Sequence, residues 1–402
     1  MARSLRTSAK QQAAIREHIL EVFTSSKGFL SVTVVLLGFL MGTLLILAVG
    51  HSPGGMYSAV IQVLTGFDLR RWAPVEGPFP QWLAQTLGWE LQLPRWNARY
   101  IGEWLVMSMP LILCGFSMAF ASRTGLFNIG AEGQYIAGLT AAQFIALYGP
   151  PVPGLHWVLA VAGAVLAGGS WGGLAGYLKA RFNVSEVVAT IMMNYIAFYI
   201  SRYSTLQIPG ANTFQTPPLP PTARLTSPFL ASITNGSRLN YGLYLTVGGI
   251  LLFWIIMGKT RFGYSLRATG LNKDAARYGG ISVNASITSS MALAGAFAGL
   301  AGAVVSLGVF PAGRILSVQD GYGFDGIAVA LVGNSTAGGT ALAGLLFGML
   351  KSAQPLMQSR HIPKEITSII MGLVVVFISL RVGVRIIIDW QLKEKARKGR
   401  GE

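Results

Sequence analysis

Apolar stretches long enough to cross a lipid bilayer recur along this chain, and they limit its fold more than any other feature. A spanning helix needs about 20 apolar residues, since its backbone must satisfy its own hydrogen bonds where water is absent. The sequence therefore predicts an all-α polytopic membrane protein with about ten transmembrane helices. The predicted segments are 29–50, 103–121, 131–148, 155–178, 187–203, 241–258, 284–308, 322–333, 337–353 and 366–385.

The composition supports the same class. Charged residues make up 11% of the chain and hydrophobic residues 52%, whereas an average soluble protein carries about 25% charged residues. This excludes a cytosolic enzyme, a secreted scaffold and a disordered protein. The single cysteine, Cys114, excludes an intrachain disulfide. Glycines at Gly-xxx-Gly spacing predict close helix crossings, and these spacings begin at Gly168, Gly169, Gly172, Gly295 and Gly344.

The eighth segment, 322–333, is too short for a full crossing. It ends in Gly-Asn-Ser-Thr at 333–336 and is typical of one half of a broken helix. Within a membrane, such breaks survive only where protein or a water-filled cavity covers them.

Basic residues give the chain a net charge of +16 and cluster in the segments 1–27, 259–284 and 386–402. Ten crossings place all three clusters on one side, which the positive-inside rule assigns to the cytoplasm. No long soluble basic region exists, so nucleic-acid binding is not expected. The predicted organisation is a basic N-terminus (1–28), a first transmembrane helix (29–50), an extracytoplasmic segment (51–101), a membrane core (102–385, with an external loop at 204–240 and a cytoplasmic loop at 259–284) and a basic tail (386–402).

Two segments share Arg, Glu, Ile and Met at identical spacing, and a predicted transmembrane helix follows each. One runs from Arg181 to Met192 and the other from Arg360 to Met371. The predicted topology starts the first copy inside and the second outside, which is the relation expected of inverted repeats. Chance similarity between two helix starts is the alternative.

The stretch 125–134 is the most informative part of the chain, with three glycines, a carboxylate and two amides between two apolar segments. An ionisable group at membrane depth is costly and usually functional, so Asn128, Glu132 and Gln134 are candidates for a translocation path. The alternative is a cytoplasmic turn in which Glu132 is a first-turn helix charge. Asp325 and Asn334 must find polar partners, which are either helix-cap bonds or a permeant. Asn194 either faces the path or binds a neighbouring helix.

A second stretch, 267–281, predicts a short amphipathic helix in the cytoplasmic loop. Asn272 suits the N-cap, Asp274 the first turn and Gly279 the stop. Such a helix could dock into another protein. An ordinary solvated loop is the alternative.

Several catalytic signals are missing from the sequence. Gly-Lys-Thr at 258–260 lacks the earlier glycine of a phosphate loop, because Phe253 stands there. The four histidines show no zinc spacing, and no nucleophile elbow or paired catalytic carboxylates stand out. We therefore expect no enzymatic activity and no ATP site in the chain itself.

Four ordered motifs carry a family resemblance that runs from about residue 100 to about residue 385. They lie at 125–134 (Gly-Leu-Phe-Asn-Ile-Gly-Ala-Glu-Gly-Gln), 186–197, 267–281 and 322–333. Together they resemble the permease subunits of ABC importers of the branched-chain amino acid and ribose type, most of all the nucleoside or simple-sugar branch.

The resemblance implies a permease for nucleosides in a bacterial cytoplasmic (inner) membrane, with both termini in the cytoplasm. It implies three protein partners besides the lipid bilayer: an ATPase with two nucleotide-binding domains, a second and shorter permease, and a solute-binding lipoprotein. The chain would bind no cofactor, and ATP and Mg would belong to the ATPase. The implied coupling residues are Arg267, Gly270, Asn272, Asp274, Arg277 and Tyr278. The expected translocation path comprises Phe127, Asn128, Glu132, Gln134, Asn194, Asp325 and Asn334. Phe127 and Phe310 are candidates to stack on a nucleobase.

Other functions stay open at this stage. A simple-sugar permease on the same machine is the first alternative, and an ion-driven secondary transporter and a structural membrane scaffold are others. The segment 51–101 has no counterpart in the resemblance. We expect its tryptophans to lie at the membrane surface or to meet the receptor, and they are Trp72, Trp82, Trp89 and Trp96.

Overall fold

The computed structural model describes residues 27–74 and 92–377. The chain divides into two compact units, one within 1–53 and 365–402 and the other spanning Gly54–Lys364. In the first unit, helix α1 covers Lys27–Ala48. A Cβ added at Gly38 of α1 would lie 2.5 Å from Cγ2 of Val374, so a glycine allows the two segments to pack closely there.

The second unit is a helical bundle with two small antiparallel β-pairs. Its elements in chain order are α2 (Gly54–Thr65), β1 (Phe67–Pro74), β2 (Gln92–Trp96), α3 (Arg99–Arg123), α4 (Ala131–Tyr148), α5 (His156–Phe182), α6 (Glu186–Leu206), β3 (Gln215–Pro218), a 3₁₀ turn (Pro221–Ala223), α7 (Pro228–Ile233), α8 (Gly242–Lys259), α9 (Arg261–Leu271), α10 (Lys273–Tyr278), α11 (Val283–Gly308), β4 (Ala312–Arg314), α12 (Tyr322–Val332) and α13 (Ala337–Gln358). A last helical segment, α14, covers 364–377, where the described residues end, and from Glu365 onward it belongs to the first unit.

Helices lie at all ten predicted segments, although the end of the tenth lies outside the described residues. Within the part of the chain that the structure describes, four of them, α3, α5, α8 and α11, are long and apolar enough to cross a membrane. The chain is therefore a mostly helical protein with membrane-spanning helices. Ten crossings and an inverted repeat stay predictions. Helix α12 is a separate helix of 11 residues, as its length in the sequence predicted.

Helices α3 and α11 form the centre of the bundle, where nearly every side chain of α3 beyond Met107 is buried. Four phenylalanines meet between α3, α8 and α11, with ring centroids 4.6–5.8 Å apart. They are Phe116, Phe120, Phe253 and Phe297. Such offset and edge-on ring pairs add to the stabilisation from burial, so the aromatic cluster fixes how these three helices pack.

Glycines set the spacing between α5 and α11. A Cβ at Gly168 or Gly172 would collide with the backbone of α11, and a Cβ at Gly295 or Gly299 would collide with the backbone of α5. This confirms the close helix crossing predicted from the Gly-xxx-Gly spacing, because only hydrogen at these positions allows the two backbones to touch.

Residues 54–96 contain elements that hydropathy did not predict. Strands β1 and β2 pair in antiparallel fashion with a bulge between Asp68 and Trp72, and Trp72 and Trp96 are exposed on this pair. Trp82 and Trp89 lie outside the described residues. Helix α2 is held by Arg360, whose guanidinium donates to the Gly55 carbonyl (2.7 Å) and to the side chains of Ser58 (2.6 Å) and Gln62 (2.5 Å).

Candidate functional site

The stretch 125–134 folds inward and places its polar side chains inside the bundle. The chain turns sharply at Gly125, whose φ of +74° favours glycine. Asn128, Glu132 and Gln134 are then fully buried against α3, α6 and α12. Because a buried polar group without a partner is costly, each of the three needs hydrogen bonds from its surroundings.

Asn128 and Gln134 form two hydrogen bonds with each other. The Asn128 amide nitrogen donates to Oε1 of Gln134 at 3.0 Å, and the Gln134 amide nitrogen donates back to Oδ1 of Asn128 at 3.2 Å. Asn128 also donates to Oγ of Ser117 on α3 at 3.0 Å and accepts from the Gly130 N–H at 3.0 Å. The start of α4 is thus attached to the middle of α3.

Asn194 on α6 binds the same loop from the other side. Its Oδ1 accepts from the Gly133 N–H at 2.8 Å, and its amide nitrogen donates to the Ile129 carbonyl at 3.0 Å. The side chain is buried, while the next residue, Tyr195, is 54% exposed. Asn194 therefore connects α6 to the loop backbone, and its place on a translocation path stays a prediction.

Glu132 binds the start of the short helix α12. Its two carboxylate oxygens accept from the backbone N–H groups of Gly321 (2.8 Å) and Gly323 (2.7 Å). The first N–H groups of a helix have no partner within the helix, and a negative charge there is favourable. Glu132 itself is 0% exposed, so the carboxylate is enclosed by the helix end that it stabilises. We call Ser117, Asn128, Glu132, Gln134 and Asn194 the polar frame.

A second set of charges lies beside the polar frame. Asp325 on α12 forms an ion pair of 2.5 Å with Lys351 on α13, and the Lys351 ammonium lies 4.5 Å from the centre of the Tyr322 ring. The side chains of Asp325 and Lys351 are 26% and 18% exposed. We call Tyr322, Asp325 and Lys351 the charged trio. Unlike the polar frame, the charged trio includes charged side chains that are partly exposed in this chain.

The segment between α11 and α12 adds a further ion pair. Arg314 donates to both carboxylate oxygens of Asp320, at 2.5 and 2.8 Å, and the Tyr135 hydroxyl donates to Asp320 at 2.8 Å. The Arg314 guanidinium also lies 4.7 Å from the Phe310 ring centre. Asp320 directly precedes Gly321, so these contacts fix the approach of the chain to α12.

The structure separates two predicted path residues from this centre. Phe127 is 39% exposed in the loop before Asn128. Asn334 is exposed in the turn between α12 and α13, with a φ of +53°. Its carbonyl accepts from Arg123 at the end of α3.

Sequence reasoning missed Arg314, Asp320, Lys351, Tyr135 and Tyr322 as site residues. Lys351 carried a signal, since it is a lone lysine inside the predicted segment 337–353, and such residues are rare in spans. Arg314 and Asp320 carried none, because they lie in a connection without periodic pattern. Among the residues that the structure describes, no cluster of His, Cys, Asp or Glu could hold a metal ion.

The predicted coupling residues are divided between two helices. Arg267 and Gly270 belong to α9, and Asp274, Arg277 and Tyr278 belong to α10. Asn272 separates the helices and caps α10, since its Oδ1 accepts from the N–H groups of Asp274 (2.9 Å) and Ala275 (3.0 Å). This confirms the predicted N-cap. We call residues 267–278 the α9–α10 corner.

The α9–α10 corner touches the loop that leads to the polar frame. A Cβ at Gly270 would collide with the Arg123 carbonyl, and a Cβ at Gly125 would lie 3.2 Å from Cα of Gly270. The close packing of α9 against the end of α3 therefore explains why position 270 is a glycine. Helix α9 therefore contacts the start of the loop that carries Asn128 directly, through Gly270 and Gly125.

A bundle of apolar helices encloses the hydrogen-bonded polar frame, and partly exposed charges lie beside it, as a membrane transport protein requires. The family model for the permease component of branched-chain amino acid transport systems matches residues 100–379, and the chain belongs to this family. The match includes every residue of the polar frame and of the charged trio. None of the solved structures gives a significant match to this chain.

Relatives of known role cover nearly the whole chain. It is 38% identical to the guanosine ABC transporter permease protein NupP of Bacillus subtilis, over 90% of this chain and 95% of that one. It is 33% identical to the nucleoside ABC transporter permease protein NupB of Lactococcus lactis, over 90% and 93%. The glucose ABC transporter permease protein TsgB13 of Haloferax volcanii is 32% identical, over 69% and 75%.

Bacillus subtilis also has a second guanosine ABC transporter permease protein, NupQ. It is 26% identical to this chain over 66% of this chain and 85% of its own length. The aligned region is 66% of this chain but 85% of NupQ, so NupQ is shorter than this chain.

Proposed function

We propose that this chain is the permease subunit of an ATP-driven ABC importer that moves nucleosides across the cytoplasmic membrane. One observation carries the proposal: two permeases named for guanosine and nucleosides match 90% of this chain and at least 93% of their own lengths. The glucose permease matches a smaller share of both chains. The nucleoside proposal therefore stands ahead of the sugar proposal.

The energy would come from a partner ATPase with two nucleotide-binding domains, which would hold ATP and Mg. This assignment is supported by the family and by the absence of a phosphate-loop motif in the sequence. We assign docking of that ATPase to the α9–α10 corner on the cytoplasmic side. Tyr278 is 98% and Leu271 is 89% exposed there, and large apolar residues so exposed are typical of an interface.

Docking would be transmitted through contacts within the chain. Gly270 packs against the backbone at Arg123, and Gly125 then begins the loop that carries Asn128. The loop ends at α4, where Glu132 holds the start of α12. A displacement of the corner would thus be passed to α12 and to Asp325.

The polar frame and the charged trio would have different tasks on the translocation path. The frame has its hydrogen bonds satisfied internally and would keep α3, α4, α6 and α12 in register. The charged trio is partly exposed and would contact the solute. Nucleosides offer hydroxyls and base edges, which can exchange hydrogen bonds with Asp325 and Lys351. Alternating access would follow from movement of α12, which begins inside the bundle at Gly321.

Two further partners belong to the proposal. A second, shorter permease is supported by NupP and NupQ, two guanosine permeases of unequal length in one organism. A solute-binding lipoprotein would dock on the external side, where the exposed pair β1–β2 carries Trp72 and Trp96. An ion-driven secondary transporter is the alternative mechanism, and it would require uptake without ATP.

Co-purification tests the assembly. The chain is expressed at native level and solubilised gently, and its partners are identified by mass spectrometry. We expect an ATPase with two nucleotide-binding domains and a second permease. Recovery of the folded chain alone would contradict the proposal, and gradient-driven transport would then be the mechanism to test.

A further inference from the structure

A cavity of about 620 Å³ opens between the end of α3 and helix α9, and Arg123 and Arg267 both line it. A neighbouring cavity of about 170 Å³ is lined by the same two arginines together with the turn after α12. Two guanidinium groups thus face one concave surface beside the α9–α10 corner.

Neither arginine has a carboxylate partner among the described residues. Arg123 donates to the carbonyls of Ser335 (2.9 Å) and Asn334 (3.3 Å), and Arg267 donates to the Gly263 carbonyl of its own helix (3.4 Å). Other basic residues of the chain do form ion pairs with carboxylates: Arg71, Lys179, Arg238, Arg314 and Lys351.

Two like charges at one half-buried site repel each other, and the repulsion grows as water is excluded. An anion between them would remove this cost. Guanidinium groups suit such an anion because they bind carboxylates and phosphates through two parallel hydrogen bonds.

The neighbouring surface indicates which anion fits. Leu271 also lines the cavity, and it is 89% exposed at the end of α9. Tyr264 lines the cavity and is exposed as well. A free phosphate would leave both side chains in water, whereas a protein surface would cover them while it supplies the charge. Arginine and tyrosine are also the residue types most often found to dominate protein interfaces.

We propose that this cavity receives an aspartate or glutamate side chain of the partner ATPase, which pairs with Arg267 beside Arg123. The inference rests on the proposed function, because it presupposes an ATPase at the α9–α10 corner. It adds the chemistry of the contact: the ATPase presents a carboxylate to the arginine pair and an apolar surface to Leu271. Arg123 also donates to the carbonyls of Asn334 and Ser335 in the turn after α12. A carboxylate bound beside Arg123 would therefore be coupled to the position of α12.

Carbodiimide cross-linking of the purified full complex tests this contact. The reagent joins an amine to a carboxylate that it touches, with no spacer, so Arg267→Lys places a reactive amine in the cavity. The matched control is Arg261→Lys, at the exposed start of the same helix and outside the cavity. Cross-linked peptides are mapped by mass spectrometry, which separates the new lysine from the native Lys259 and Lys273.

We expect a peptide that links Lys at position 267 to an acidic residue of the ATPase, and no such link at position 261. Arg267→Glu should lower ATPase recovery about tenfold. A basic residue at the cross-linked ATPase position should restore it.

An ATPase that co-purifies without a link at position 267, or that is retained by Arg267→Glu, would overturn the inference and leave the proposed function standing. A complex whose stability depends on anionic lipid at this cavity, with no link to the ATPase, would also overturn it. Failure of the unmodified chain to bind any ATPase would overturn the proposed function itself.

Discussion

The polar frame and the charged trio are neighbours, but they differ in how far they are buried within the chain and in their hydrogen-bond partners. Glu132 is fully buried, and both of its oxygens accept backbone N–H groups. Asp325 and Lys351 are 26% and 18% exposed and neutralise each other. A buried polar group whose hydrogen bonds are all made within the chain fixes geometry, whereas a partly exposed charge can exchange its partner for a solute. We therefore propose that the frame is architectural and that the trio belongs to the translocation path.

Removal of the Glu132 carboxylate should have the largest effect. Glu132→Ala leaves two N–H groups at the start of α12 without a partner, which should destabilise the protein by about 2 kcal/mol or more and abolish uptake. Glu132→Gln keeps one acceptor, so it should destabilise the protein less than Glu132→Ala, and uptake should fall with the amount of folded protein. Thermal unfolding in detergent and solute uptake measure the two effects.

The exposed Glu365 provides the control for this experiment. Glu365→Ala should change neither measurement. A Glu132→Ala protein that unfolds at the normal temperature would contradict the role of Glu132 in holding α12.

The ion pair of the charged trio gives the next largest effect. Asp325→Asn leaves the Lys351 ammonium without its partner, so uptake should fall about tenfold or more. The double variant Asp325→Asn/Lys351→Met removes both charges and should regain thermal stability without regaining uptake. Normal uptake by the double variant would show that the pair is structural, like the frame.

Asn194 tests the frame with a smaller expected effect. Asn194→Leu removes two buried hydrogen bonds, which should destabilise the protein by about 1–3 kcal/mol. Uptake should fall with the amount of folded protein, while the KM for the solute stays constant. Tyr195→Phe, on the exposed face of the same helix, is the control. A raised KM in Asn194→Leu would move this residue from the frame to the path.

Phe127 should give the smallest change in stability. Its side chain is 39% exposed, so Phe127→Leu should alter the free energy of unfolding by less than about 0.5 kcal/mol. If the ring stacks on a nucleobase, the KM for nucleosides rises in uptake assays. An unchanged KM would remove Phe127 from the predicted path.

The sequence was sufficient to predict features that depend on local pattern. Hydropathy predicted where the apolar helices lie, because a helix in lipid must form all its backbone hydrogen bonds within itself. Glycine spacing predicted close helix crossings, although not which helices cross, and the residue type of Asn272 predicted its cap. These inferences need only residues within one or two turns of each other.

Features that depend on distant residues could not be predicted in this way. Glu132 binds N–H groups 189 and 191 positions further along the chain, and no spacing rule connects them. The sequence indicated that Glu132 needed an explanation, yet it could not distinguish a solute from a helix end as the partner. The pair β1–β2 was missed because its strands are separated by residues 75–91 and carry no sustained alternation of apolar and polar residues.

Uptake by the reconstituted complex tests the central claim most directly. The chain is placed in proteoliposomes with its ATPase, second permease and receptor, and accumulation of radiolabelled guanosine is measured with and without ATP. We predict accumulation that requires ATP hydrolysis and is blocked by excess unlabelled nucleoside but not by glucose. Uptake that proceeds without ATP, or that only glucose inhibits, would contradict the account.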